Sequence, residues 1–463
     1  MNRTGMNADE RKSVSALSSI FALRMMGLFL ILPVFSTYAH GLEGALAHPE
    51  LVGIALGAYG LTQALFQIPF GMMSDKFGRK PVIAAGLVIF AIGSVIAAVS
   101  TSIEGVLIGR IIQGSGAVAA AVIALTADLT REEHRTKAMA SIGITIGLSF
   151  AVSMAIAPLL NAWMGVPGIF ALTAVLSLLS ILVLYFVVPD PKTSGHHSDS
   201  EVTPGMFGKV LKDYSLLRLD FGVLVLHMSL TALFVVLPLV LASPDHALLA
   251  QEDQWMLYLP VMLLAFVLMV PFIIVAEAKR KMKQVFLVAI ALLMAASALL
   301  ASMHDSLWWV ASSLLLFFVG FNTLEASLPS MVSKYAPAGA KGTAIGVFNT
   351  SQFFGAFLGG VLGGFLYQPE TENFAVVFWV VFALLGCWLL VALFMSVPPY
   401  VSTLTLRLQA ANEEDAVRLT QSLLAIDGVV EALVVAEEGA AYCKFDKKRI
   451  SEESLIEKAE LLS

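Results

Sequence analysis

Long apolar runs separated by short polar stretches fill the first 396 residues. Twelve runs can be drawn as bilayer spans: 14–38, 51–72, 81–101, 105–128, 137–162, 167–188, 219–242, 254–276, 284–303, 307–333, 342–366 and 374–396. Each approaches or exceeds the ~20 residues a helix needs to cross ~30 Å of hydrocarbon. A membrane β-strand would alternate polar and apolar positions, whereas these runs are continuous, so helices are expected. One polar stretch is much longer than the rest: 189–218, "PDPKTSGHHSDSEVTPGMFGKVLKDYSLLR", with a short amphipathic piece near "MFGKVLKDY". It divides the spans six and six, into an N-terminal bundle over 1–188 and a C-terminal bundle over 219–396. The halves echo one another: "RTKAMASIG" at 135–143 returns as "KGTAIGVFN" at 341–349. Two repeated six-helix bundles with a cavity between them near the membrane midplane are the expected architecture.

After Met395 the pattern changes. "TLTLRLQ" reads as a strand, "NEEDAVRLTQSLLAI" as a helix capped by Asn412, "GVVEALVVAE" and "GAAYCKFD" as a hairpin, and "SEESLIEKAELL" as a closing helix. This β-α-β-β-α order over 403–463 predicts a small α+β domain of the ferredoxin-like type.

Composition agrees with a membrane body: 58% of residues are hydrophobic and 13% charged, against roughly 25% charged in soluble domains. The signs of the charges orient it. Nineteen Lys and Arg fall in the leader, the linker and alternate loops before residue 397, and none in the six intervening loops. By the positive-inside rule both termini are cytoplasmic. The tail carries 12 acids against 7 bases and so accounts for most of the net charge of −6. Two cysteines, Cys387 and Cys443, build neither a disulfide framework nor a zinc site, and His196 and His197 read as linker residues, so no metal is expected. No phosphate-binding G-x-x-x-x-G-K-[ST] loop occurs and no nucleophile–base constellation is evident. An enzyme, a cofactor and a nucleic-acid partner are therefore not expected.

Between the second and third spans lies "GMMSDKFGRKP", residues 71–81. An apolar chain places an acid, three bases and two glycines in one tight turn, where glycine supplies close approach or positive φ. The loop resembles the signature between helices two and three of the major facilitator superfamily. Gly71, Ser74, Asp75, Lys76, Gly78, Arg79 and Lys80 fit its pattern, and Met73 stands where leucine is commoner. The resemblance implies a conformational switch: Asp75 near a helix N-terminus, Arg79 pairing with Asp128, and a clasp that holds the cytoplasmic side shut. "GRIIQGSGAVAAA" at 109–121 resembles the helix-four motif of proton-coupled efflux members, through Arg110, Gln113, Gly114 and Gly116. It implies that Arg110 takes part in proton coupling; a charge inside a span needs a wet cavity or a partner. The antiport motif on helix five is degraded, with Gly143, Gly147 and Pro158 kept but Ala157 where glycine is usual. The likeness runs the whole length, to bacterial inner-membrane members carrying an extra ferredoxin-like tail.

Within the spans, Glu325 is the costliest acid and a proton-site candidate, and His227 is another, since an imidazole titrates near neutrality unless perturbed. Arg24, Gln63, Gln113, Asn322, Asn349 and Gln352 are cavity candidates. The tail resembles heavy-metal-associated domains in strand order, but its first loop, "QAANEEDA", has no thiol, which disfavours copper delivery. A ligand, a protein partner or self-association through the tail stays open; otherwise a monomer is expected. Together these readings imply a multi-pass transporter of the bacterial inner membrane, working by alternating access. The proton gradient would supply its energy, and a small amphiphilic or drug-like solute would be exported. Uptake by symport, and a transporter-like sensor signalling through the tail, are the alternatives.

Overall fold

The computed structural model describes residues 6–191, 204–243, 248–303, 305–337, 339–367, 373–397, 400–408, 410, 412–436 and 439–461; His196 and His197 lie outside the described residues. Among the described residues, eleven apolar helices are long enough to cross a membrane. One of them, α7 (Glu132–Phe186), contains Gly165 at φ 67°, a left-handed turn that divides it into two spans, as the sequence expects between 162 and 167. Divided there, the described residues supply twelve candidate spans.

The first and fourth spans are each broken, where the apolar pattern reads as continuous. The first consists of α1 (Ala8–Phe29) and α2 (Leu32–Ala39), with Pro33 just inside the second piece, where a missing N–H costs nothing. After α3 (Glu50–Phe77) and α4 (Arg79–Val99), the fourth span divides into α5 (Ile103–Ser115) and α6 (Ala119–Asp128) at Gly116. The linker contributes a 3-10 turn at Pro204–Met206 and the short helix α8 (Phe207–Val210). The second half follows as α9 (Tyr214–Ala242), α10 (Trp255–Ala278), α11 (Met282–Ser302), α12 (Leu307–Tyr335), α13 (Lys341–Leu366) and α14 (Phe374–Leu393).

The tail folds in the expected order: β1 (Ser402–Arg407), α15 (Glu413–Leu424), β2 (Val429–Val435), β3 (Ala440–Phe445) and α16 (Glu452–Glu460). Its sheet is antiparallel in the order β1–β3–β2, consistent with a ferredoxin-like arrangement. Asn412 caps α15 by accepting from the Asp415 N–H at 2.8 Å. Leu404, Leu419, Leu423, Phe445 and Leu455 form a core separate from the membrane body.

The two halves meet at the face opposite the tail. Gly53, Gly57 and Gly60 of α3 lie directly on the backbone of α13, at Gly360, Phe357 and Phe353. A Cβ at Gly53 would run into the Gly360 carbonyl, so only glycine permits the approach. Ser36 donates to the Phe234 carbonyl at 3.0 Å, and Gln251 to Thr37 Oγ1 at 2.6 Å. The apolar cores follow the same division. Phe35, Val52 and Phe170 of the first half belong to the core of the second, while Leu17, Ile83 and Val122, toward the tail side, form a cluster of their own.

The tail docks on the opposite face. Arg280, the one non-glycine residue at positive φ among those described (54°), donates to Asp446 Oδ1 at 2.8 Å. Its guanidinium also lies 5.1 Å from the centre of the Tyr400 ring. Lys444 Nζ pairs with Glu431 at 2.9 Å and donates to the Ala336 carbonyl at the end of α12. The Lys448 N–H and the Arg280 guanidinium hold the Asp446 carboxyl below its ordinary value. Only the Arg280 share of that lowering depends on docking, since the Lys448 N–H stays beside Asp446 in either state. That share favours the docked state above the undocked carboxyl's pKa and is lost as pH falls through the docked value. Energy transfer between fluorophores on the tail and on α10 should therefore be flat above pH 5 and decline below pH 4. Asp446→Asn should reduce it at neutral pH and remove the acid dependence.

Candidate functional site

Four groups of polar side chains are set into the membrane body, beginning with the hairpin at 71–81. α3 and α4 are separated by one residue, Gly78, at φ 92° and ψ 147°, a conformation only glycine adopts readily. That reversal carries Arg79 back under its own hairpin, where Nη1 meets Asp75 and donates to Ser74 Oγ at 2.8 Å. Nε donates to Asp128 Oδ2 at 2.9 Å, so the pairing implied for Arg79 and Asp128 is present. Asp128 is wholly buried and Arg79 is 3% exposed, whereas Asp75 is 38% exposed. Lys80 turns the other way, donating to the Val188 carbonyl at 2.6 Å and pairing with Asp190 at 2.8 Å. These bonds tie α3, α4, α6 and the end of α7 together within one half. Gly71 approaches Ala120 of α6, again inside that half.

Sequence reasoning missed a second tie at the same end. Glu10 closes a capping box with Asn7 and also accepts from the Arg131 N–H and Nε, both at 2.9 Å. Its signal in the sequence is the "NADE" start of α1, a capping-box sequence.

Deeper in the first half lie two cations. Arg110 is fully enclosed. It donates to Gln113 Oε1 at 2.6 Å and to the Ala55 and Leu56 carbonyls at 3.4 and 3.2 Å, and lies 5.0 Å from the centre of the Tyr59 ring. Gln113 in turn donates to Ser94 at 2.8 Å. Of the two surroundings expected for Arg110, the structure provides the partner and not the wet cavity, and Gln113 is sealed with it. Gly114 and Gly116 permit this closeness, touching Tyr59 and Gly86. Arg24 meets Gln63, donates to the Gly116 carbonyl at 3.1 Å, and leaves Nε and Nη1 without a hydrogen-bond partner among the described residues. Gln63 is buried and donates onward to Gln67 at 3.4 Å. A cavity of about 360 Å³ opens between α1 and α7 toward the tail side, lined in part by Arg11, Ser15, Ser19 and Thr145.

The second half brings together three candidates from three helices. Gln352 Nε2 on α13 lies 2.8 Å from His227 Nε2 on α9 and donates to Glu325 Oε1 on α12 at 3.3 Å. His227 Nε2 is 3.7 Å from Glu325 Oε2, and His227 Nδ1 is 3.2 Å from the Val223 carbonyl. Glu325 keeps 36% of its exposure and His227 13%. Phe321, one turn from Glu325, packs on the His227 ring with centroids 5.7 Å apart. Asn322 is buried, with its amide nitrogen unpartnered among the described residues; Asn349 is half-buried. Arg24 and His227 do not meet across a cleft: each finds its partners in its own half. Sequence spacing cannot show which helices face each other, and so the grouping of His227, Gln352 and Glu325 needed the fold.

The chain is similar to known transporters over most of its length. The family model described as Major Facilitator Superfamily matches residues 17–360. The inner membrane transport protein YajR of Escherichia coli (strain K12) is 46% identical over 451 residues, covering 97% of each chain. The class H tetracycline resistance protein of Pasteurella multocida is 30% identical over 181 residues, 38% of this chain and 44% of that one. Among solved structures, a bacterial homologue of the human lysosomal transporter Spinster, inward-facing and occupied, superposes with a TM-score of 0.65. It is 13% identical and covers 84% of this chain and 97% of its own; at that identity the likeness speaks for the fold.

Proposed function

Since this chain belongs to the Major Facilitator Superfamily, we propose that it is a proton-driven secondary transporter that exports a small amphiphilic solute from the bacterial cell by alternating access. The observation that carries the proton coupling is the contact of His227, Gln352 and Glu325. A carboxylate 3.7 Å from an imidazole competes with it for one proton, and Gln352 bonds to both, so it must readjust when that proton moves. The three groups sit on α9, α12 and α13, and α13 also forms the glycine seam with α3. Protonation therefore acts on a helix that belongs to the contact between halves, and it biases the equilibrium if the two states differ in proton affinity.

Arg24 supports a polar end on the solute, because buried guanidinium donors left unpaired are costly until water or a ligand meets them. The tetracycline resistance relatives support export, since removal of drug from its target is a direct route to resistance. The Lys and Arg distribution supports a cytoplasmic tail; with it, the conformer described is closed toward the outside.

Reconstituted protein tests the reading. Proteoliposomes given a pH gradient should concentrate an amphiphilic fluorescent dye, and Glu325→Gln should reduce that uphill movement by about tenfold or more. Tenfold is the bias carried by one lost unit of proton affinity, ~1.4 kcal/mol. Downhill exchange should survive. Equal gradient-driven uptake in both proteins would remove Glu325 from the coupling.

A further inference from the structure

The geometry points to a binding site for a phosphate-bearing anion in the crevice between the tail and the two halves of the membrane body. The crevice measures about 350 Å³. Its walls carry Arg135 and Lys137 from the first half, Lys334 and Lys341 from the second, and Lys444 and Lys447 from the tail. One carboxylate, Glu452, lines it as well. A loop inventory alone would explain bases on this face as a topology signal, but it does not explain three separate parts of the chain turning them onto one cavity. The tail contributes two lysines here although it is acidic overall.

Lys334 is tied to Glu277 at 2.9 Å and Lys444 to Glu431 at 2.9 Å. Lys137 and Lys447 are exposed at the rim. The crevice also receives the start of α13: Gly339 and Lys341 line it, and the N-cap is Ala340, with no side-chain cap. The first-turn N–H groups of a helix carry partial positive charge and accept an anion readily. Lysine ammonium groups around such an end suit a multiply charged phosphate, through short charge-assisted hydrogen bonds. An anion held there touches both halves and the tail at once, so it favours whichever spacing of the halves keeps all three sets of cations in reach. The ligand is either a soluble phosphorylated compound or the headgroup of an anionic phospholipid.

Calorimetric titration of the full-length protein with inorganic pyrophosphate tests this, with sodium sulfate holding ionic strength constant. Saturable binding is expected in detergent. Lys137→Gln combined with Lys447→Gln should weaken it about tenfold or more, and arginine at both positions should retain it. Repeating the titration in nanodiscs separates the sources. Binding that persists in phosphatidylglycerol discs identifies a soluble ligand. Binding in phosphatidylcholine discs that phosphatidylglycerol abolishes identifies a lipid headgroup. Absence of saturable binding in detergent and in phosphatidylcholine discs, or the same affinity in the glutamine variant, overturns the site. None of these readouts depends on transport.

Discussion

Gly53→Ala should open the seam between the halves while leaving each half folded. The added methyl meets the backbone of α13 at Gly360 and Gly364, and backbone cannot move aside as a side chain can. Overpacking of this sort costs about 1–3 kcal/mol, which displaces the joined conformer by roughly 5- to 150-fold. Spin labels at Leu46 and Trp308, both exposed at the far face, would read the change. A longer-distance population should appear in the variant and be minor in the parent. Gly143→Ala is the control, since nothing lies within 4 Å of that site and alanine is the better helix former. An unchanged distance distribution for Gly53→Ala would mean that the seam tolerates a side chain and does not set the conformer.

Arg79→Ala should be the most destabilising change in the 71–81 hairpin. It leaves Asp128, wholly buried, without the guanidinium at 2.9 Å, and breaking a buried pair from one side costs about 3–5 kcal/mol. Asp75→Asn should cost less than about 1 kcal/mol, because Asp75 is 38% exposed and water screens the loss. Thermal unfolding in detergent, followed by scattering, should place Arg79→Ala well below the parent and Asp75→Asn close to it. Equal shifts would show that the hairpin works as one surface network and that burial of Asp128 is energetically irrelevant.

The order of those two effects could not be read from sequence. The resemblance pairs Arg79 with Asp128 and sets Asp75 near a helix N-terminus, whereas the structure turns Asp75 onto Arg79. Depth decides which of them is costly to lose, and depth comes from α6 packing beneath the hairpin. The spans themselves were legible because continuous apolar runs have few other uses. Their internal breaks at Leu30–Ile31 and Gly116 were hidden, since a turn buried inside a bundle stays apolar. The seam had a visible signal in "GIALGAYG", whose glycines recur at helical spacing, yet only the fold shows that α13 is what they face. Arg110 and Gln113 illustrate the opposite limit. Their motif and their mutual contact were legible, whereas their complete enclosure depends on the α3 backbone carbonyls that come to meet them. The tail was readable strand by strand, and its docking through Arg280, Asp446 and Lys444 was not.

Rocking of two halves about a central cleft is tested most directly by pinning the far face shut. Thr37→Cys and Gln251→Cys, in a chain whose Cys387 and Cys443 are replaced, place a reversible disulfide where the two side chains now touch at 2.6 Å. Solute flux in proteoliposomes should stop when the bond forms and return when it is reduced. Flux that continues undiminished through the oxidised protein would contradict alternating access in this chain.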